Sequence, residues 1–350
     1  MMITPVAPAY TPEEQELAVA SLLRLNNSIV LDFFANHGIK RAYTKAEMKV
    51  RLTDALEAGT VSYGEIFIYL NPIESWGRQH VILFDGPKSS IDSWRDAGWV
   101  AQHIASCGLN DQYNSTYPHA LPRELTLSSI NHTASKIRIS AVERREGVVR
   151  EPDLDTEKPC DDDTIFYKAY RYQVYRGHIS FEWDLVSNTA FLQISQLPSG
   201  EKYEDASTRF DSIIDNLLNL NDFSALCLRP VIKRLHELEE QKTPEARSQG
   251  IAYKTLQGRT VEGRGASGSL GLFGETVIDT TMATVRSVSI GHTGNFYWLT
   301  DANKSDNPLT QEVHVTLIGD WQRINFPVYY PEDYIRYVLQ RIRSIASGAS

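Results

Sequence analysis

The sequence predicts an α+β protein: a small helical N-terminal head followed by mixed or antiparallel sheet domains with packed helices. Two patterns carry that reading. Over residues 1–110 apolar side chains recur mostly at helical spacing between capping residues, and from about residue 125 the spacing shifts to the alternation of strands. Of the 350 residues 42% are hydrophobic and 10% aromatic, the composition of a folded chain. The length admits more than one core, and the predicted regions are a head at 1–110, a sheet with helices at 125–245, and a C-terminal sheet with a closing helix at 246–350.

The first helix is predicted in TPEEQELAVASLLRL, with Thr11 as N-cap, Pro12 at the first helical position and acidic residues in the first turn. Leu17, Ala20, Leu22, Leu23 and Leu25 mark its buried face. A second helix, Ile29 to Ala35, ends at His37-Gly38, where Gly38 suits a left-handed cap. After the short extension IKRAY, Thr44 and Glu47 stand at capping-box spacing and open a third helix that Gly59 terminates. A fourth is expected in VSYGEIFIYLNPIE, ending before Pro72.

Beyond it, RQHVILFDGP reads as a strand and SSIDSWRDAGWVAQHIASCGL as one helix; residues 111–124 are rich in turn formers. SKIRISAVERRE reads as a strand, DDTIFYKAYRYQVYRGHISFEWDL as one or two more and TAFLQISQLP as another, and the acidic GVVREPDLDTEKPCDDD between the first two as an exposed hairpin loop. Helices are predicted in YEDASTRFDSIIDNLLNL and DFSALCLRPVIKRLHELEEQK. IAYKTLQGRTVEG, TMATVRSVSIGH, NFYWLTD and HVTLIGDWQRINFP follow as strands, and PEDYIRYVLQRIRSIAS as the last helix.

Charge and cysteine content narrow the function classes. A net charge of −9 excludes a chain that coats nucleic acid indiscriminately, so any such contact must use local basic patches. Cys107, Cys160 and Cys227 are sparse and unpaired in sequence, which suits a reducing compartment. The start MMITPVAPAYTPEEQE lacks the basic-then-apolar pattern of a signal peptide, and no apolar run reaches spanning length. The expectation is a cytoplasmic chain, nuclear in a eukaryotic host, with no membrane partner.

Set side by side, Leu31 and Phe34, the turn Gly38-Ile39, the start Thr44-Lys45-Ala46-Glu47-Met48, and Arg51-Leu52 with Ala55-Leu56 form a helix–extension–helix pattern over residues 29–59. This resembles a SAP-type nucleic-acid-binding module, and the resemblance implies contact with a DNA backbone. The chemistry suits it: a helix N-terminus offers free N–H groups, and Lys40, Arg41, Lys45, Lys49 and Arg51 cluster around it with Tyr43 and Thr44. Such contacts position a protein without reading bases. The head as a whole is not basic, with Glu13, Glu14 and Glu16 just upstream, and the alternative reading of the same residues is a packing or protein-binding helical unit whose lysines are a solvated face.

The order of elements around YKAYRYQVYRGHISFEWD also resembles that of the CENP-N/Chl4 family of centromeric proteins. That resemblance implies a DNA-facing sheet on which Lys136, Arg138, Arg144, Arg145, Lys168, Arg171 and Arg176 alternate with Tyr167, Tyr170, Tyr172 and Tyr175. The alternative is that half of the tyrosines face a core and the arginines pair with the acidic segment 151–163.

Enzymatic signals are weak. GRGASG at 263–268 does not join a strand to a helix and lacks a P-loop lysine, so no cofactor is expected. His103 and Cys107 share a helix face without a second ligand pair, and Asp161-Asp162-Asp163 reads as a solvated run, so no metal is expected either. Glu182 and Asp184, with Lys168 and Lys202 nearby, suggest a metal nuclease only faintly, because EWD lacks the following lysine. The expectation is therefore a non-enzymatic, largely sequence-independent DNA-binding adaptor in a larger complex, serving chromosome maintenance or defence against mobile DNA. The other reading is a protein–protein scaffold or homo-oligomer.

Overall fold

The computed structural model describes residues 10–115, 121–160, 163–242, 245–266, 271–300 and 306–348, with residues 71 and 72 described by their backbone alone. The head is four helices: α1 (Pro12–Arg24), α2 (Asn27–Asn36), α3 (Lys45–Glu57) and α4 (Tyr63–Ser75). The expected capping box forms at Thr44–Glu47, and the expected N-cap Thr11 makes a second one with Glu14. Ser62 and Glu65 exchange the same two bonds at the start of α4. Gly38 and Gly59 adopt φ of +67° and +68°, the left-handed caps their positions called for.

Leu22, Phe33, Phe34, Met48, Leu52 and Leu70 are fully buried between these helices. On α1 the buried alanine is Ala18, whereas Ala20 faces solvent. The fourth helix also departs from expectation by continuing through Pro72 to Ser75. Ile73 and Trp76 are buried just beyond the proline, and that burial outweighs the lost backbone bond.

β1 (Gln79–Asp85) follows, then α5 (Ile91–Arg95) and α6 (Ala97–Ser106) where one helix was expected. Asp96 breaks that run because its Oδ1 accepts the N–H groups of Gly98 and Trp99, at 2.8 and 3.1 Å, and so caps α6. Next come β2 (Thr126–Thr133), a strand missed in the sequence, and β3 (Lys136–Arg150). The acidic segment is exposed as expected but is not a loop: β4 (Thr156–Cys160) and β5 (Asp163–Tyr167) pair with each other as a separate ribbon. β6 (Tyr170–Asp184), β7 (Thr189–Ser195), α7 (Tyr203–Ile214), the short β8 (Ser224–Ala225) and α8 (Arg229–Glu240) complete the middle of the chain.

The C-terminal part holds β9 (Ala246–Thr255), β10 (Thr260–Arg264), α9 (Thr276–Ser287), β11 (Ser289–Trp298), β12 (Val313–Ile318), β13 (Arg323–Phe326) and α10 (Glu332–Ala346). Here TMATVRS is helix rather than strand, and SIGH and NFYW are one strand with two bulges. The β-branched residues of α9 carry strand propensity, but Met282 is buried from a helical backbone, and packing decides.

Among the described residues, all strands except β4 and β5 lie in one antiparallel sheet of order β10-β9-β11-β12-β13-β1-β7-β6-β3-β2, with β8 beside β1. The strands that follow residue 245, β9 to β13, lie together on one side of this sheet, and β1 joins β13 to β7 of the other side. One core gathers Tyr253, Phe296, Trp298, Ile335 and Val338, and another Ile104, Phe181, Trp183 and Phe210. Each such buried side chain contributes about 1.5–3 kcal/mol of transfer free energy. β3 and β6 outrun their neighbours. Beyond Val142 and Ile179 they pair only with each other and project as a two-stranded arm that the β4–β5 ribbon extends.

Candidate nucleic-acid interface

The extension between α2 and α3 presents the head's basic residues. Ala42 is buried as its anchor, while Lys40, Arg41, Tyr43, Thr44 and Lys49 are exposed, Tyr43 to 76%. The Arg41 guanidinium lies 5.7 Å from the Tyr43 ring centroid. Lys40, Arg41 and Lys49 form no ion pair among the described residues, so their charges face water.

Two other expected contacts are engaged in the fold. Lys45 Nζ donates to the Leu25 carbonyl at the end of α1, and burial lowers its pKa; it fastens α3 to α1. Arg51 is half-buried, with Nε enclosed. The start of α3 is also less open than a bare helix end. The Glu47 carboxylate accepts the N–H groups of Tyr43 (3.0 Å) and Thr44 (3.4 Å), and Thr44 Oγ1 accepts that of Glu47 (3.2 Å). The Tyr43 and Thr44 amides hold the Glu47 carboxyl below its usual range, so a negative charge already sits where a phosphate was expected.

On the body the expected basic surface is largely an interior network. Arg138 donates to Glu182 (3.1 Å), Ser180 and Gln193, and Arg336 donates to the same Glu182 at 2.7 and 2.9 Å. Both guanidinium groups lie over the Trp76 ring. Burial alone would raise the Glu182 carboxyl, but Arg336, Arg138 and Lys136 together hold it low. Lys136 stands 4.0 Å from that carboxylate.

Arg145 is 1% exposed, donates to Glu143 at 2.7 Å and to Ser195, and lies flat on the backbone at Gly177. Arg176 is buried against Glu74. Arg144 bridges Glu13 of α1 and Glu146, and Arg171 pairs with Glu151 at 2.9 Å. Arg138, Arg145 and Arg176 are therefore withdrawn from any phosphate-facing surface, and Lys136, Arg144 and Arg171 have carboxylate neighbours. The carboxylates come from two sources: Glu143 and Glu146 stand two positions from Arg145 and Arg144 on β3 itself, and Glu182, Glu74 and Glu13 are brought to Arg138, Arg176 and Arg144 by β6, α4 and α1. Of the body set only Lys168 is exposed without an ion pair among the described residues.

The nuclease candidates are likewise committed. Glu182 is 2% exposed and holds three cations. Asp184 Oδ1 accepts the N–H groups of Val186 and Ser187, both at 2.8 Å, and shapes the β6–β7 turn. His103 and Cys107 bond separately to the carbonyls of Leu217 and Asn216, tying α6 to the end of α7. Among the described residues no cluster of metal-ligating side chains occurs. Asp161 and Asp162, and residues 267 and 268 of the glycine motif, lie outside the described residues.

Of the carboxylates that organise these networks, Glu74 and Glu143 were missed in the sequence, and Glu182 was singled out there only as a nuclease candidate. The available signal was a charged residue between core aromatics, as in Phe181-Glu182-Trp183. The fold and site thus define an α+β protein with a helical head on one large antiparallel sheet, and no single described helix is long and apolar enough to cross a membrane. No protein-family model matches the chain, and no curated protein matches it.

Proposed function

We propose that the protein is a non-enzymatic, sequence-tolerant DNA-binding adaptor whose helical head contacts the phosphate backbone. The observation that supports this most directly is the exposure of Lys40, Arg41 and Tyr43 on the α2–α3 extension and of Lys49 in the α3 that follows it. The SAP-like pattern of residues 29–59 supports the same assignment. With the body arginines internally paired, the footprint is small. Neutralising three phosphates gives a slope of about −2.7 in log K against log salt on duplex DNA.

The test is a gel-shift salt series on duplex and single-stranded DNA with the wild-type chain and the variant Lys40→Glu/Arg41→Glu/Lys49→Glu. The expected result is salt-sensitive binding that the triple variant abolishes while its melting curve is unchanged. Equal binding and equal slope for the two proteins would overturn the assignment.

A further inference from the structure

The arm has a surface unlike the rest of the molecule. Eight of the eighteen large apolar side chains exposed among the described residues fall between Val148 and Tyr172, with Phe166 66% exposed. Cross-strand pairing puts Val148 opposite Tyr172 and Arg150 opposite Tyr170, so an apolar stripe runs along one face of the β3–β6 ribbon. On β5 both faces are apolar and exposed, Phe166 on one and Ile165 and Tyr167 on the other.

That ribbon also has open edges. β4 and β5 pair only with each other, and two strands alone are marginal in water. The outer edge of β4 carries Pro159, which lacks an N–H to offer an incoming strand. The outer edge of β5, Asp163–Tyr167, contains no proline and can accept one.

Charge selects the occupant. Residues 146–172 contain eight carboxylates and four cations, and two of the cations, Arg150 and Arg171, are already paired with Asp155 and Glu151. This disfavours a nucleic acid and an anionic membrane. It also disfavours a second arm, and the chain as a whole is at −9.

We propose that the arm is a docking site for an extended segment of a protein partner in which basic and apolar residues alternate, added as a strand on the edge of β5. The apolar alternate would pack on the exposed aromatic face, and the basic alternate would meet the arm's carboxylates. This interface is separate from the head, and either assignment stands without the other.

The full-length protein would be titrated into a fluorescent synthetic peptide of alternating Lys and Val/Tyr, and into its counterpart with Glu in place of Lys, with anisotropy as the readout. The Lys peptide should bind and weaken with salt, the Glu peptide should not, and hydrogen exchange should slow at β5 amides. Phe166→Ser/Tyr172→Ser should weaken binding by about tenfold or more. Glu157→Lys/Asp163→Lys, which removes the charge but keeps the rings, should weaken it too. Lys40→Glu/Arg41→Glu/Lys49→Glu should leave it unchanged. Equal binding of the Glu peptide, indifference to both arm variants, or protection outside the arm would overturn the proposal. So would self-association in light scattering that Phe166→Ser/Tyr172→Ser abolishes, which would assign the arm to a second copy.

Discussion

Arg176 Nε donates to Glu74 Oε2 across 2.9 Å, and this bond between β6 and α4 joins the helical head to the sheet. His178 Nε2 lies 3.1 Å from the same carboxylate oxygen, and Arg176 also stacks on Phe67 of the head. Breaking the pair from one side leaves the other charge buried. Glu74→Ala should therefore destabilise the protein by about 3–5 kcal/mol, whereas Glu74→Leu with Arg176→Met should recover most of that loss. Chemical denaturation of the three proteins checks it; equal stability of Glu74→Ala and wild type would refute the structural role.

Acid should weaken the fold in two stages. Burial, with Arg323 beside it, depresses His80 to about 3, and burial with Arg286 depresses His236 to about 4. The unfolded chain takes up those protons near 6.5, so stability is full above that pH and declines as pH falls below it. Although burial opposes it, Arg176 and His178 hold Glu74 at about 2, so a second loss starts below 4.5 and runs down towards 2. Thermal melts from pH 8 to pH 3 should show both stages, and His80→Phe should reduce the first.

Glu239 has the opposite sign. Burial raises it to about 7 despite bonds from Ser248, so the folded protein keeps a proton that the unfolded chain releases near 4.5. Its contribution is full below 4.5 and is lost as pH rises through about 7. Glu239→Gln should then be more stable than wild type at pH 8 by about 1–3 kcal/mol, with the gap closing by pH 5. Paired urea melts at the two pH values measure the difference; a gap that persists at pH 5 would contradict the assignment.

Gly177 is set by a neighbour rather than by its own backbone. A Cβ there would stand 2.1 Å from Arg145 Nε, and Arg145 cannot withdraw without leaving Glu143. Gly177→Ala should cost about 1–3 kcal/mol by overpacking. A melting temperature equal to wild type would show that the guanidinium can move.

Lys45 and Lys49 lie one helical turn apart and should behave differently. Lys45→Ala removes the bond to Leu25 and should lower stability by about 1 kcal/mol with the salt slope kept. Lys49→Ala should leave stability unchanged and flatten the slope by about 0.9. The two melts and two salt series, read together, separate a tether from a phosphate contact.

The head was largely legible because its signals are local. Thr11, Thr44, Gly38 and Gly59 act through backbone geometry within a few residues, and each adopts the expected cap. The arm was legible as exposed and acidic, yet its pairing was not, since β4 and β5 are defined by partners rather than by propensity. The basic surface of the body was least legible. Arg138 and Arg176 read as solvent-facing in the alternation of their strands, but Glu182 and Glu74 stand opposite them only after α4, β6 and α10 assemble.

By itself, then, the sequence determined the α+β class, the helix caps of the head and the basic residues of the extension and the start of α3, because these depend on short-range spacing. The tertiary structure decided which cations remain available. Pairing a charge with a carboxylate a hundred positions away is a long-range event, and burial makes that pairing strong enough to remove the residue from the surface. The exposed positive charge of the helix–extension–helix unit thus reduces to Lys40, Arg41 and Lys49, and the acidic, aromatic arm stands apart from it as a second surface.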